Sequence, residues 1–244
     1  MAAITLVGEK IPGMPWQEKP VGCSSVVWRH SDNPIISINP TPSCARVYNS
    51  AVVPWKGGYA GVFRADHRNG RAQLHLGFSK DGLRWDIRDE MIEWKDESGA
   101  DYQPAYAYDP RVVKLDGRYY VLWCGDFSGA SLGLGFTEDF ERFVRLENPS
   151  YPYNRNGVLF PRQVGGMYLL LHRPRAPAPP PFGDIFLSES PDLVHWGRHR
   201  KVMSKGGSGW WQATKIGAGA VPIETSSGWL LLYHGVSSTC NGFV

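Results

Sequence analysis

Val113-Lys-Leu-Asp-Gly-Arg-Tyr119-Tyr-Val-Leu-Trp123 joins a turn to a strand of alternating apolar and aromatic residues, and the same pattern occurs in three other places. A Gly beside an Asp, Gly or Ser, directly before an aromatic strand, predicts a β-hairpin because the turn needs positive φ. The aromatic anchors Tyr59, Tyr119, Tyr168 and Trp229 lie 60, 49 and 61 residues apart. The other three copies are Val53-Pro-Trp-Lys-Gly-Gly-Tyr59-Ala-Gly-Val-Phe63, Gln163-Val-Gly-Gly-Met-Tyr168-Leu-Leu-Leu171 and Ile223-Glu-Thr-Ser-Ser-Gly-Trp229-Leu-Leu-Leu-Tyr233.

A second motif follows three of these hairpins and places an aromatic residue four positions after an Asp. Its aromatics are 58 and 53 residues apart, in phase with the first motif. In each copy we expect a strand to enter a polar turn at the Asp and a new strand to begin near the aromatic. The copies are Ser79–Trp85, Thr137–Phe143 and Ser190–Trp196, and the strands before them are Leu74–Phe78, Ser131–Phe136 and Asp184–Leu187.

Two in-phase motifs without helical periodicity between them predict an all-β fold made of β-propeller blades. A β-sandwich whose hairpins are similar by coincidence is the alternative. Three full repeats can be counted and a fourth begins near Val221, so we expect three and a half to four blades within 26–244, after an N-terminal extension over 1–25. The chain stops at Val244, inside the fourth repeat, which predicts an incomplete propeller.

Composition narrows the class of function. The chain has 244 residues with 26 Lys and Arg against 23 Asp and Glu, a net charge of +3, which argues against nucleic-acid binding by bulk charge. The start of the chain does not resemble a signal peptide, and no apolar run is long enough for a membrane span. We therefore expect a cytoplasmic protein. No zinc site or disulfide framework is predicted, because no His stands at ligand spacing and the four cysteines lie far apart: Cys23, Cys44, Cys124 and Cys240.

One carboxylate is the candidate for acid chemistry. Asp109 stands before a repeat strand and follows Tyr106 and Tyr108. An Asp next to a Pro is often only a turn former. Aromatic surroundings would favour its protonated form, however, which suits a general acid. A serine nucleophile is not supported, because the chain has no GxSxG motif.

Cationic residues recur at equivalent places in the repeats, just outside the predicted strands. Arg64 and Arg173 stand at strand exits, Arg155 and Lys215 before strand entries, and His234 closes the fourth strand. A single exposed cation is usually a solvated surface charge, but a ring of blades would bring these positions together around one channel. Several cations in a closed site need an anion, and phosphate matches Arg and Lys.

These motifs resemble glycoside hydrolase family 130, over roughly Val26 to the last residue. Within the family, the sequence resembles β-1,4-mannoside phosphorylases, with those acting on mannosyl-glucose as the nearer match. The stretches that carry the resemblance are Tyr48-Asn49-Ser50, Phe63-Arg64-Ala-Asp66, Ala107-Tyr108-Asp109-Pro110-Arg111, Asn154-Arg155-Asn156-Gly157-Val-Leu-Phe160-Pro161, Arg173-Pro174, Ser190–Trp196, Thr214-Lys215-Ile-Gly217 and Tyr233-His234-Gly235-Val236.

The resemblance implies a five-bladed β-propeller that carries out inverting phosphorolysis of β-1,4-mannosides with inorganic phosphate as co-substrate and no cofactor or metal. The products would be α-mannose 1-phosphate and the acceptor sugar, glucose, mannose or a longer chain. Asp109 matches the proton donor, which is thought to act through a hydroxyl of the mannosyl residue. The phosphate positions match Arg155, Asn156, Arg173, Lys215 and His234, and the mannose positions match Asn49, Ser50, Arg64, Asp66 and Tyr108.

The balance of charges agrees with phosphorolysis. An inverting hydrolase needs an acid and a base to activate water. Phosphate is already a competent nucleophile, so one carboxylic acid and a set of cations suffice. A β-mannoside hydrolase and a non-catalytic carbohydrate-binding propeller remain open as alternatives.

Two further expectations come from the resemblance. Family members run on for something like eighty residues beyond the Cys240-Asn241-Gly242-Phe243 stretch. The chain is therefore expected to be either a fragment or a protein whose open edges are covered by something else, such as a second copy, and a homo-oligomer is left open. The Pro-rich run within Ala176–Gly183 is expected to form a rigid rim that influences the choice of acceptor.

Overall fold

The structure is a computed structural model that describes residues 4–8, 11, 13–175, 183–206 and 211–237. Within these residues the chain forms strands and turns and no helix. Two four-stranded antiparallel sheets have their strands in chain order. The first contains β1 (Cys44–Trp55), β2 (Gly58–His67), β3 (Ala72–Ser79) and β4 (Asp86–Met91), and the other contains β11 (Asn154–Leu159), β12 (Tyr168–Pro174), β13 (Ile185–Ser190) and β14 (Gly197–Met203).

Between these two sheets lies a six-stranded sheet. Four of its strands, consecutive in the chain, repeat the blade pattern. Two short strands from the preceding connection extend its outer edge, where β5 (Trp94–Lys95) pairs in parallel with β10 (Phe143–Arg145). In spatial order the strands are β6 (Asp101–Tyr102), β5 (Trp94–Lys95), β10 (Phe143–Arg145), β9 (Ala130–Thr137), β8 (Arg118–Asp126) and β7 (Ala107–Leu115).

The last described part of the chain forms two short antiparallel pairs. The strand β15 (Lys215–Ala218) pairs with β18 (Tyr233–Val236), and β16 (Ile223–Thr225) pairs with β17 (Gly228–Leu230). The second pair is the hairpin that the fourth repeat predicted. Before β1, the described residues contain an isolated bridge between Leu6 and Thr225.

The predicted hairpins are confirmed, and their turns have the backbone that the sequence requires. Lys56 and Gly57 have φ of 45° and 78°, and Asp116 and Gly117 have φ of 49° and 84°. Gly165 and Gly166 complete the series with 61° and 76°. Two successive residues with positive φ match the twist of antiparallel strands, which explains the Gly before each aromatic strand.

The second motif forms the same turn three times. The Oγ of Ser79 accepts a hydrogen bond from the Gly82 amide at 2.8 Å, while Oδ1 of Asp81 accepts from the amides of the next two residues at 2.9 and 2.8 Å. Equivalent bonds occur at Thr137 with Asp139 and at Ser190 with Asp192. Such side-chain-to-backbone bonds stabilise a turn without tertiary partners.

Three apolar clusters lie between successive sheets, so the middle sheets are covered on both faces. The first contains Trp94 and Trp123, the second Leu134 and Leu170, and the third Ile185 and Ile216. This face-to-face succession confirms the propeller architecture and excludes the β-sandwich.

The glycines of β9 are explained by this packing. A Cβ at Gly133 would lie 2.2 Å from the Trp123 ring, and one at Gly135 would lie 2.4 Å from the Trp94 ring. These two glycines therefore belong to a strand that is covered by two tryptophan side chains. No helix among the described residues has the length and apolar character of a membrane span.

Candidate active site

One cavity collects most of the predicted site residues. It has a volume of about 760 Å³ and lies where the inner strands β1, β7, β11 and β15 converge. Nine of the eleven predicted residues line it: Asn49, Arg64, Tyr108, Asp109, Arg155, Asn156, Arg173, Lys215 and His234. Residues from different blades thus meet at one place, as the repeat predicted.

Three of these residues share an unusual backbone position. Asn49, Asp109 and Asn156 have φ of 37°, 51° and 53°, and each lies where the pairing of an inner strand with its neighbour is interrupted. Asn and Asp tolerate this left-handed conformation better than most residues. A β-bulge re-aims a side chain while the strand continues. Each bulge therefore turns an Asn or Asp side chain into the cavity.

The expected location of the site residues outside the strands is therefore wrong. Asp109 lies in β7, Arg155 in β11 and Lys215 in β15. Side chains are directed into the cavity by interruptions of pairing within β1, β7 and β11. The equivalence of Arg64 and Arg173 is confirmed, because each pairs with the residue directly before a bulge.

Asp109 is held by two donors from the first blade. Nδ2 of Asn49 and Nη1 of Arg64 donate to the same oxygen, Oδ1, at 2.8 and 3.0 Å. Nε of Arg64 also donates to Oδ1 of Asp66 at 3.0 Å. The two carboxylates raise the pKa of Arg64 although burial opposes them. Asp109 therefore belongs to a network of ion pairs in addition to the aromatic residues that the sequence places beside it.

Two tyrosines border this network. The guanidinium of Arg64 lies 5.3 Å from the ring centre of Tyr48 and 5.4 Å from that of Tyr108, within range of a cation–π interaction. The hydroxyl of Tyr108 accepts a hydrogen bond from Nη1 of Arg155, and burial raises the pKa of Tyr108. Tyr108 therefore links the Asp109 side of the cavity to the opposite side.

Like charges gather on that opposite side. Arg173 is buried, and burial lowers its pKa to about 10, with a further contribution from the charge of Arg155. The pKa of Lys215 is lowered by burial and by the charges of Arg173, Arg175 and Arg155. Burial, followed by the charge of Arg173, lowers the pKa of His234 to about 4, so this imidazole is neutral at pH 7.

Two polar atoms on the same side lack hydrogen-bond partners within the described part of the chain. Among the described residues, Nε of Arg173 and Oδ1 of Asn156 are buried and have no hydrogen-bond partner. A Cβ at Gly217 would lie 2.6 Å from His234 and 2.9 Å from Asn156, so a glycine is needed for these two side chains to approach. Buried polar atoms without partners are costly, which favours a polar ligand here.

The other two predicted residues do not line the cavity. Asp66 reaches it only through its ion pair with Arg64. Ser50 lines a separate apolar cavity with Val52 and Tyr59, and its hydroxyl donates to the Tyr48 carbonyl at 3.3 Å. The Pro-rich rim expected at 176–182 lies outside the described residues.

The structure adds residues that the site prediction did not include. Arg111 and Tyr106 line the cavity, and Arg111 donates to the carbonyls of Gly219 and Pro110, so it connects the second blade to the fourth. The bulges could have been found in the sequence, because Asn49, Asp109 and Asn156 are 60 and 47 residues apart and each precedes a Ser, Pro or Gly.

Comparison with known proteins gives the context of this site. A family model described as beta-1,4-mannooligosaccharide phosphorylase matches residues 8–244. A beta-1,4-mannooligosaccharide phosphorylase from Ruminococcus albus is 47% identical over an alignment of 244 positions, which covers 97% of this chain and 72% of that protein. A 4-O-beta-D-mannosyl-D-glucose phosphorylase from Bacteroides fragilis is 27% identical over 80% of this chain and 54% of that protein. The expected nearer match to the mannosyl-glucose enzymes is therefore wrong in terms of identity.

A solved structure supports the fold. The beta-1,2-mannobiose phosphorylase from Listeria innocua, in complex with beta-1,2-mannobiose, superposes with a TM-score of 0.77 and 22% sequence identity. The match covers 89% of this chain and 77% of that one.

Proposed function

The chain belongs to glycoside hydrolase family 130, and from this premise we propose that it catalyses inverting phosphorolysis of β-1,4-linked mannooligosaccharides. An oxygen of inorganic phosphate forms a bond to the anomeric carbon of the terminal mannosyl residue, while the bond from that carbon to the O4 of the next sugar breaks. The leaving O4 takes up a proton. The products are α-mannose 1-phosphate and the shortened acceptor.

The observation that carries this proposal is the group of unpaired cations on one side of the cavity. Burial and the positive charge of Arg155 lower the pKa of both Arg173 and Lys215, and a buried Arg173 nitrogen has no hydrogen-bond partner among the described residues. A phosphate dianion would neutralise these charges and supply the missing acceptors. The neutral His234 and the amide of Asn156 could hold its remaining oxygens.

On the opposite side, Asp109 is proposed as the proton donor. Arg64 and Asn49 both bond to Oδ1, so the proton would be carried on Oδ2. Arg64 stabilises the carboxylate in the absence of substrate. A mannosyl residue whose hydroxyls bind to Arg64 and Asn49 would compete for those donors and favour the protonated form of Asp109, while Asp66 would accept a hydrogen bond from a hydroxyl of the same sugar. The proton then passes through a hydroxyl of that sugar to the leaving oxygen.

The cavity does not favour water as the nucleophile. Inverting glycosidases place two carboxyl groups about 6.5–9.5 Å apart, with water between one of them and the sugar. Of the described residues that line this cavity, only Asp109 carries a carboxyl group. A bound phosphate needs no base to ionise it, so one carboxyl group is sufficient.

The test is phosphate dependence. The purified chain is incubated with β-1,4-mannotriose with and without inorganic phosphate, and mannose 1-phosphate and free mannose are quantified. We expect mannose 1-phosphate only when phosphate is present. Asp109→Asn should lower its rate by about 10³-fold, within the range of general-acid contributions.

Asp101→Asn is the matched control, because that Asp is exposed and pairs with Lys95 away from the cavity, so its rate should equal that of the parent. Release of free mannose at equal rates with and without phosphate would instead identify a hydrolase. An Asp109→Asn variant as active as the parent would rule out Asp109 as the acid.

A further inference from the structure

A cysteine and two histidines that are distant in sequence meet in the first blade. Cys44 begins β1, His67 ends β2 and His75 lies in β3. Their potential ligand atoms all lie within 4.8 Å of one another. Cys44 and His75 have no exposed surface, and His67 is half-buried. The sequence predicted no metal site because its cysteines are far apart, but the pairing of strands brings these three residues together.

The hydrogen bond of His75 to the backbone leaves its other ring nitrogen without a proton. Its Nδ1 lies 3.0 Å from the Arg88 carbonyl, which can only accept, so Nδ1 carries the proton. Nε2 of His75 is then a lone-pair donor that faces Nε2 of His67 at 2.7 Å and Sγ of Cys44 at 3.6 Å. A histidine that donates one nitrogen to a backbone carbonyl and offers the other to a metal is a recurring arrangement in metal sites.

These distances can be compared with those of a tetrahedral zinc site. Zinc bonds of about 2.3 Å to sulfur and about 2.0–2.1 Å to nitrogen hold a sulfur and a nitrogen about 3.5 Å apart and two nitrogens about 3.3 Å apart. The pair formed by Cys44 and His75 already has the first spacing. The two histidines are closer than the second, so His67, which is on the accessible side, would move outward by about half an ångström.

We propose that Cys44, His67 and His75 form a binding site for a divalent transition metal of the zinc type, with water as the fourth ligand on the side of His67. A thiolate and two imidazoles are ligands that zinc prefers. Binding releases the thiol proton of Cys44 and moves the ring proton of His67 from Nε2 to Nδ1.

The position of the site gives it a structural role next to the active site. Asp66, which holds Arg64, directly precedes His67, and the β2–β3 hairpin contributes Gly70 and Arg71 to the cavity wall. A metal that ties β1, β2 and β3 together would hold this hairpin in place. The site itself is independent of phosphorolysis, so its test uses metal binding.

The experiment uses cobalt as a spectroscopic probe. The complete chain, without a polyhistidine tag and stripped of metal with EDTA, is titrated with Co²⁺ and then with Zn²⁺ in competition. We expect one equivalent of Co²⁺ to give a thiolate-to-cobalt charge-transfer band together with visible bands of tetrahedral cobalt, and Zn²⁺ to abolish both. A folded chain that gives no charge-transfer band would overturn the proposal.

Three variants locate the site. Cys44→Ser should lose the charge-transfer band, and His67→Gln, which alters a half-buried residue, should bind Co²⁺ at least tenfold more weakly while keeping its far-ultraviolet circular dichroism. Cys23→Ser, a cysteine outside the cluster, is the matched control and should behave as the parent. The proposal fails if Cys44→Ser retains the band or if His67→Gln binds Co²⁺ as tightly as the parent.

Discussion

The two sides of the cavity handle charge in opposite ways. On the side formed by β1, β2 and β7, Arg64 lies 3.0 Å from both Asp66 and Asp109, and Asn49 completes the network. On the side formed by β11, β12, β15 and β18, Arg173 and Lys215 lie near further cations, and the pKa values of both are lowered. On the first side each of these charged residues has a partner of opposite charge. On the second side, Arg173 and Lys215 form no ion pair with a described carboxylate.

This difference indicates which side of the cavity is stabilised by a bound anion. A network of paired charges is preorganised and presents fixed donors to a neutral ligand such as a sugar. A group of buried like charges lowers the stability of the folded protein until an anion binds. This contrast supports the proposal that a neutral sugar and an anion bind at separate places in the cavity.

The largest effect is expected from removing one charge on each side. Lys215→Met should raise the KM for phosphate by about 10- to 100-fold, the equivalent of one charge-assisted hydrogen bond. In phosphate-free buffer the same change should leave the free energy of unfolding unchanged or raise it, because a partly buried like charge is removed. Initial rates at varied phosphate and urea unfolding measure the two quantities.

Asp66→Asn is the counterpart on the paired side. It should lower the free energy of unfolding by about 1 kcal/mol, because Arg64 loses a partner in a half-buried pair, and it should raise the KM for the mannoside rather than that for phosphate. If Lys215→Met destabilised the protein as much as Asp66→Asn does, the contrast between the two sides would not hold.

A second prediction concerns acid and the cationic side. The pKa of His234 is lowered to about 4 in the folded protein, against about 6.5 when unfolded, so the unfolded chain takes up the proton first as pH falls. The stabilisation from its neutral form is complete above pH 6.5 and is lost between about pH 6.5 and 4. His234→Gln should reduce the loss of unfolding free energy between pH 7 and 4.5 by about 2 kcal/mol.

Urea unfolding of the parent and of His234→Gln at both pH values measures this difference. His172 is a second buried histidine whose pKa is lowered to about 4 by burial, but without a contribution from the cations of the cavity. It therefore provides a comparison for the effect of phosphate, which should act on His234 and not on His172. Addition of phosphate should reduce the loss of unfolding free energy between pH 7 and 4.5 in the parent, because a bound anion counteracts the repulsion between protonated His234 and Arg173. Equal pH dependence in the parent and in His234→Gln would contradict the prediction.

The smallest expected effect on stability concerns the left-handed backbone that occurs on both sides of the cavity. Asn49 and Asn156 lie on opposite sides but have the same left-handed backbone. At both positions, replacement by Gly should leave the protein about 1 kcal/mol more stable than replacement by Ala, because Ala is strained at positive φ. Ala51→Gly, at a regularly paired position of β1, should instead be destabilising.

Thermal or urea unfolding of the matched Gly and Ala variants checks this order. If Ala were as stable as Gly at one of the two positions, the bulges on the two sides would not be equivalent.

The repeats and turns could be predicted from the sequence because they depend on local chemistry. The Asp-Gly turn before Tyr119 requires positive φ, and Ser79 with Asp81 stabilises its turn through bonds within five residues. The convergence of Arg155 and Lys215 followed from the phase of the repeat. The spacing of Asn49, Asp109 and Asn156 marks equivalent positions in the repeat. It does not show that these positions lie within paired strands, because that depends on the neighbouring strand.

The same reason explains the features that the sequence did not reveal. The pairing of Arg64 with Asp109 depends on which atoms lie opposite each other across two blades, and the meeting of Cys44 with His75 depends on strand register. Neither distance is encoded in sequence spacing. Arg111 was missed because its role, bonding to the backbone of the fourth repeat, has no motif.

Asn49, Asp109 and Asn156 each occupy a bulge with the same backbone conformation. Because of these bulges, ligand specificity can evolve independently of the scaffold. Each of the first three blades offers the same backbone position to the cavity, and its neighbours on the strand maintain the core. A point mutation at one such position can therefore exchange an acid for an amide, or one ligand preference for another, while the packing between blades is conserved. Duplication of a blade would copy a place for a functional side chain together with the fold that supports it.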